Sequence, residues 1–274
     1  MQARPLSSLS FAALIALSSC GPSAPAASDL PAPSSSLSAA QKQAIGRKIW
    51  QNECGGTVDG LTTWNVGEEF PSLGIGHFIW YPAGFDGRFN ETWPQFVSYA
   101  GKQGVKLPQV AYSKDCPWQT KTQFQKEFRG AQMTELRTWL SRNVGIQTDF
   151  IIARSRAAVP KTIAAAPPAS RARVKANYDK VATTSNGTYA LIDYVNFKGD
   201  GTKTSERYKG QGWGLLQVLE GMKDVPAGQA AAAEFAASAK RALDRRIANS
   251  PPERGESRWR AGWHNRCNTY ARPL

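Results

Sequence analysis

The sequence predicts an α+β protein in which helices predominate and a small β-hairpin packs against them. A helix is indicated after Ser38, whose hydroxyl suits an N-cap, because Ile45, Ile49 and Trp50 follow at helical spacing. A hairpin is indicated at 61–74, where the strand-like segments L-T-T-W and F-P-S-L flank the turn-forming N-V-G. The remaining pattern is mostly helical, with helices expected at 119–142, 189–197, 214–222 and 227–248 and an irregular or mobile helix at 154–175.

The amino terminus has the pattern of an export signal. Residues 1–19 combine Arg4 with a short apolar run, F-A-A-L-I-A-L, and end in small residues. The segment L-S-S-C that follows this run resembles the bacterial lipobox, which predicts acylation of Cys20 and a lipid anchor. Gly21 in place of Asp favours the periplasmic face of the outer membrane. An ordinary cleaved signal with Cys20 unmodified is the alternative.

The segment 20–38 is rich in Pro, Ser and Ala and has almost no charge, so we expect a disordered tether that precedes one domain at 39–274. Arg4 is the only charged residue in 1–19. Cleavage of this segment therefore leaves 33 basic and 21 acidic residues, a net charge of +12. A basic surface attracts polyanions. The export signal argues against nucleic acid and favours peptidoglycan, whose peptides carry carboxylates. A solvated basic surface without a partner is the alternative.

Apart from Cys20, the cysteines are Cys54, Cys116 and Cys267. An exported compartment permits a disulfide, and three cysteines allow at most one, with the pairing left open. Two histidines and scattered cysteines give no cluster at metal-ligand spacing. We therefore expect neither a metal nor another cofactor.

Glutamates occur at two neighbouring places in the chain, at the end of the first predicted helix and in the predicted hairpin. Glu53 lies in the last turn of the first predicted helix, where the helix dipole favours cations, so its position needs another reason. In the hairpin, a period of two places Glu68 on the same face as Ser72, with Glu69 on the other face. Two carboxyl groups across a gap are what glycosidic cleavage needs, one as a proton donor and one to activate water. The hydroxyl is suited to hold that water.

The order Glu53, hairpin, S-L-G-I-G-H at 72–77 resembles the phage-type lysozymes, glycoside hydrolase family 24. Their pattern is a helix-end Glu, an Asp in a hairpin and Thr-x-Gly-x-Gly-His. Weaker similarity continues at 190–199, 212–219 and 249–270, and only the block 53–77 is sharp. The resemblance implies a lysozyme-like fold, with a β-hairpin lobe on a helical lobe. It also implies hydrolysis of the β-1,4 bond between N-acetylmuramic acid and N-acetylglucosamine, and we expect a monomer.

The resemblance assigns roles to matched positions. Glu53 takes the general-acid position, Ser72 the position that holds water, and His77 a structural position that ties the hairpin to the acid. The family's aspartate matches Asn65, which cannot act as a base. Glu68 is therefore expected to supply the second carboxylate from the opposite strand, with Glu69 as the fallback if a bulge reverses the parity.

Other positions have two interpretations each. Trp213, in the glycine-rich run 207–214, is a candidate to stack on a sugar ring or to belong to the core. Arg254 and Arg266 are candidates to pair with Glu53 or Glu68, or to lie on the surface. Gly74 and Gly76 are expected to let the backbone bend and approach a sugar closely.

Alternative functions also remain open. If the second carboxylate is absent, a lytic transglycosylase becomes plausible, since the substrate's own group attacks and one acid suffices. A degenerate lipoprotein that only binds peptidoglycan is the non-enzymatic alternative, and a toxin against a rival's cell wall is a third. A cysteine hydrolase built from Cys54 and His77 is disfavoured, because no orienting third residue is evident and a disulfide is the simpler use of Cys54.

Overall fold

A computed structural model describes residues 37–87, 89–204 and 206–274. The predicted signal peptide 1–19, the lipidation site Cys20 and the tether up to residue 36 lie outside the described residues. Leu37, assigned to the tether, is buried and packs in the core. Within the described ranges, no helix has the length and apolarity to cross a bilayer.

The first helix, α1 (Ala39–Cys54), begins and ends as its sequence predicts. The Ser38 hydroxyl accepts a hydrogen bond from the Gln41 amide at 3.2 Å, and the Gln41 side chain accepts one from the Ser38 amide at 2.8 Å. The helix stops at Gly55, whose φ of 62° is the left-handed conformation that glycine adopts without strain. Glu53 therefore lies in the last helical turn.

The predicted hairpin is present and belongs to a three-stranded antiparallel sheet in the order β1–β2–β3. Its turn closes through a hydrogen bond from the Glu68 amide to the Asn65 carbonyl at 3.4 Å, and Gly67 has a φ of 80°. The third strand, which the sequence analysis missed, follows the tight loop 74–77. The strands are β1 (Thr62–Thr63), β2 (Ser72–Leu73) and β3 (Phe78–Ile79).

Helices make up most of the rest, so the predicted α+β, predominantly helical class is confirmed. A second hairpin, β4 (Arg207–Tyr208) and β5 (Gln211–Gly212), precedes the eighth helix. The helices after α1 are α2 (Trp93–Lys102), α3 (Lys121–Lys126), α4 (Ala131–Arg142), α5 (Val144–Ala164), α6 (Arg171–Val181), α7 (Ser185–Lys198), α8 (Leu215–Glu220), α9 (Gln229–Asn249) and α10 (Arg260–Tyr270).

Two helix predictions were wrong in detail. The segment 119–142 is not one helix, because a turn at Glu127–Gly130 separates α3 from α4. The segment 154–175 is regular helix except for 165–170, and α5 continues past Pro160 to Ala164. Packing explains why α5 continues past Pro160. The helix buries an apolar face that includes Phe150, and the stabilisation from this burial outweighs the low helix propensity of proline.

One continuous core joins the sheet to the carboxyl-terminal helices. The long helix α5 contacts α1, α2, α6 and α7, while α10 packs on α7 and α9. Because α1 also packs on α7, the end of α1 meets side chains from α7 and α10. This meeting point contains Glu53.

Candidate active site

The Glu53 carboxylate is 24% exposed and lies beside two basic side chains, those of Arg266 and His77. Arg266 of α10 donates a hydrogen bond from Nη2 to Glu53 Oε1 at 3.2 Å. His77 of the loop between β2 and β3 places Nδ1 3.9 Å from Glu53 Oε2, within ion-pair range but beyond hydrogen-bonding distance. The end of α1, the small sheet and α10 therefore meet at one carboxylate.

Arg266 is fixed by a buried acid. Its Nε and Nη2 donate to the two oxygens of Asp193 at 2.8 and 2.7 Å, the bidentate geometry that suits a guanidinium. Asp193 also accepts from the Tyr270 hydroxyl at 2.6 Å and from Asn52 Nδ2 at 3.0 Å. The sequence analysis does not identify Asp193, although an acid in an otherwise apolar helix needs a buried partner, and that need is the signal in the sequence.

The two carboxylates that contact Arg266 differ in how firmly they engage it. Burial lowers the pKa of Arg266, but the hydrogen bonds and charge of Asp193, with a smaller effect of Glu53, raise it above its ordinary value. One guanidinium thus serves two carboxylates. From the described residues, the buried Asp193 accepts four hydrogen bonds, whereas the partly exposed Glu53 accepts one long hydrogen bond, from Arg266. Glu53 is therefore the more accessible and the less tightly engaged of the two carboxylates.

Ser72 lies on the less covered face of the sheet. It pairs with Thr63 and Ile79, both partly exposed, whereas the neighbouring register of Thr62, Leu73 and Phe78 is fully buried. Ser72 itself is 4% exposed, and its hydroxyl makes no hydrogen bond to another residue of the described ranges. The hydroxyl is therefore available to hold a water molecule.

The two hairpin acids do not share the Glu53 cluster. Glu68 Oε2 accepts a hydrogen bond from Asn65 Nδ2 at 3.0 Å, and the Asn65 carbonyl accepts one from Lys121 Nζ at 3.2 Å. Glu69 is exposed. The period-two prediction for Glu68 was wrong, because β2 begins only at Ser72 and the segment before it is not a strand. Among the described residues, no contact joins Glu68 or Glu69 to Glu53.

The glycines of the 72–77 motif face protein rather than an open cleft. A Cβ on Gly74, whose φ is 68°, would lie 2.4 Å from Gln147 Oε1, and one on Gly76 would lie 2.9 Å from Ile151 Cδ1. The same Gln147 oxygen accepts a hydrogen bond from the Ile75 amide at 3.0 Å. The expected approach of these glycines to a sugar is replaced by close packing on α5, which fixes the loop that carries His77.

Trp213 and Arg254 lie outside the Glu53 cluster. The Trp213 ring is 8% exposed, its centroid is 4.7 Å from that of Tyr208, and the Arg246 guanidinium lies 4.2 Å from its centroid. These contacts favour the core interpretation of Trp213. Arg254 places Nε 3.4 Å from Glu256 Oε1, so of the two arginines proposed as partners of Glu53 only Arg266 contacts it.

The expectation of a disulfide at Cys54 was wrong. Cys54, Cys116 and Cys267 are all free and buried. Burial, with a smaller effect of the Glu53 charge, raises the pKa of Cys54 to about 12, and its Sγ lies 3.5 Å from the Gly74 carbonyl oxygen. A thiol in this state is a poor nucleophile near neutral pH, which disfavours a cysteine hydrolase.

Comparisons with protein-family models, with curated proteins and with solved structures find no significant match to this chain. The resemblance to phage-type lysozymes therefore stays a prediction. What supports a function is the arrangement of side chains around Glu53.

Proposed function

We propose that this chain is an exported peptidoglycan hydrolase with a lysozyme-like fold. Its substrate is the β-1,4 bond between N-acetylmuramic acid and N-acetylglucosamine, and Glu53 is the general acid. One observation supports this most strongly: a partly exposed carboxylate closes α1 beside Arg266, whose other hydrogen bonds go to the buried Asp193. The net positive charge of the chain suits a wall polymer that carries carboxylates.

The geometry suggests how Glu53 works. Protonated Glu53 donates its proton to the leaving glycosidic oxygen, which breaks the bond to the anomeric carbon. The carboxylate that remains is stabilised by Arg266, whose Nη2 is 3.2 Å away. His77 braces the loop against the acid, and Ser72 holds the water that attacks the cation-like centre.

The second carboxylate decides between two reactions. In the hydrolase, Glu68 leaves its contact with Asn65 and activates the water. The Asn65–Glu68 hydrogen bond at 3.0 Å favours a second candidate, a lytic transglycosylase, in which a group of the substrate attacks and Glu53 alone suffices. Both reactions need Glu53, and their products differ.

Purified cell walls provide the test. Wild-type protein should lower the turbidity of a wall suspension, and Glu53→Gln should lose at least about a hundredfold of that rate, as expected for loss of a general acid. Glu253→Gln, an exposed change of the same type, is the matched control and should retain the rate. Protein that sediments with walls but leaves them intact would instead be a binding lipoprotein.

Mass spectrometry of the released fragments separates the two reactions. Reducing ends indicate hydrolysis and anhydro ends indicate transglycosylation. Glu68→Gln should abolish the first reaction and spare the second.

The proposed location is the periplasmic face of the outer membrane, with the lipid on Cys20. Cys20→Ser should move the protein from the membrane fraction to the soluble fraction, and unchanged membrane association would contradict the anchor.

A further inference from the structure

Lys198, the last residue of α7, is a buried amine with no anionic partner among the residues that the structure describes. Its side chain is covered by two aromatic rings, with Nζ 3.5 Å from the Trp263 centroid and 4.2 Å from the Phe197 centroid. The residue is 8% exposed. Buried lysines are usually paired with an acid. Within the described part of the chain, Nζ has neither a hydrogen-bond acceptor nor a carboxylate in ion-pair range.

The acid whose charge acts on Lys198 is Glu256, on the short 3-10 helix 256–259. It accepts two hydrogen bonds from Arg246, both at 2.8 Å. Glu256 therefore already has an arginine partner, and the charge of Lys198 is surplus.

This surplus affects the amine's protonation. Burial, followed by the charge of Arg246, lowers the pKa of Lys198 to about 6. At neutral pH the free protein therefore holds mainly the uncharged amine, whereas an anion bound beside it would favour the charged form. The charged and titratable groups that act on the amine are Arg246 from α9, Glu256 from the 3-10 helix, and Arg266 and Cys267 from α10.

The amine is both reachable and close to the candidate catalytic cluster. The residue keeps 8% of its surface exposed, and its nitrogen retains some contact with solvent. The Phe197 ring, which Nζ contacts, also lies 4.6 Å from the guanidinium carbon of Arg266. One aromatic ring thus connects Lys198 to the arginine that contacts Glu53.

We propose that Lys198, framed by Phe197 and Trp263, binds a carboxylate of the stem peptide while the glycan lies against Glu53. The aromatic rings position the amine, and the carboxylate supplies the anion that the fold does not provide. The identity of this carboxylate depends on the proposed function, whereas the existence of an anion site does not.

Isothermal titration of the full chain tests the site. The probe is muramyl dipeptide, which has one free carboxylate, and its uncharged methyl ester and chitotetraose are the ligand controls. For the wild type, affinity for the acid should fall about tenfold per pH unit above pH 6, with uptake of a proton, because binding needs the charged amine. The ester and chitotetraose should bind without this dependence.

Variants separate the amine from general surface charge. Lys198→Met should bind muramyl dipeptide at least about tenfold more weakly at pH 6 and lose the pH dependence. Lys223→Met, at an exposed lysine, should bind as the wild type does. Equal affinity for acid and ester in the wild type would overturn the proposal without any variant, and so would unchanged binding by Lys198→Met.

The same samples distinguish this inference from the proposed function. If walls are digested but binding of the acid does not depend on Lys198, the carboxylate site fails and the hydrolase stands. If acid binding depends on Lys198 but walls stay intact, the site stands and the hydrolase fails.

Discussion

Replacing Lys198 with methionine is expected to stabilise the folded protein at neutral pH. Methionine has a similar length and apolar character, so it fills the space beside Phe197 and Trp263 without a charge to desolvate. The effect is measurable without a substrate and does not depend on any enzymatic activity.

The magnitude follows from the pKa of Lys198, which is about 6 in the folded protein against 10.5 for an ordinary lysine. One pKa unit corresponds to about 1.4 kcal/mol, so holding the amine uncharged costs on the order of 5 kcal/mol at pH 7, which lies 3.5 pH units below the ordinary pKa of 10.5. Repacking methionine beside the two rings offsets roughly 1–1.5 kcal/mol of this. The expected net gain for Lys198→Met is about 3–4 kcal/mol at pH 7.

The sign of the pH dependence is fixed by which state binds more protons. Between pH 6 and 10.5 the unfolded chain keeps the Lys198 proton and the folded protein loses it, so stability rises with pH in this window. The penalty is absent above pH 10.5, grows as the pH falls, and is constant below pH 6. The advantage of Lys198→Met should therefore be largest at pH 6 and vanish towards pH 10.

Urea denaturation at several pH values between 5.5 and 9.5 measures this difference. Lys223→Met, which replaces an exposed lysine, controls for the loss of one positive charge. A constant difference between wild type and Lys198→Met across this range would refute the reasoning, as would a variant that is less stable at every pH.

Three further predictions concern the Glu53 cluster and its supports. Asp193→Asn should slow wall digestion, because Arg266 loses the charged bidentate partner that holds it beside Glu53; an unchanged rate would contradict the argument that Asp193 positions Arg266. Gly74→Ala should lower the free energy of unfolding by about 2–3 kcal/mol in thermal unfolding, because its Cβ meets Gln147 at a positive φ, and a loss below about 0.5 kcal/mol would exclude that clash. The buried Cys54 thiol should resist a thiol reagent at pH 8 in the native protein and react fully in urea; rapid native reaction would show that it is accessible.

The parts of the fold that were predicted correctly are those set by local interactions. The capping box of Ser38 and Gln41 lies within four residues, and so does the turn closed between Asn65 and Glu68. Where prediction failed, distant packing decided. The third strand forms only by pairing with Ser72–Leu73, and α5 continues through Pro160 because its apolar face is buried in the core.

The candidate site divides in the same way. Sequence determined that Glu53 ends a capped helix and that a hairpin with Ser72 and His77 follows it. Only the tertiary structure decided that Arg266 is the partner of Glu53, since the two residues are 213 positions apart in the chain. Arg266 is in turn held by Asp193, which precedes it by 73 positions. The tertiary structure also pairs Glu68 with Asn65 of the same turn and not with Glu53. The strand β2 has two residues and is too short to extend the side-chain alternation from Ser72 back to Glu68. Helix caps and turns depend on neighbours in the chain, whereas the pairing of buried charges depends on which helices the core brings together.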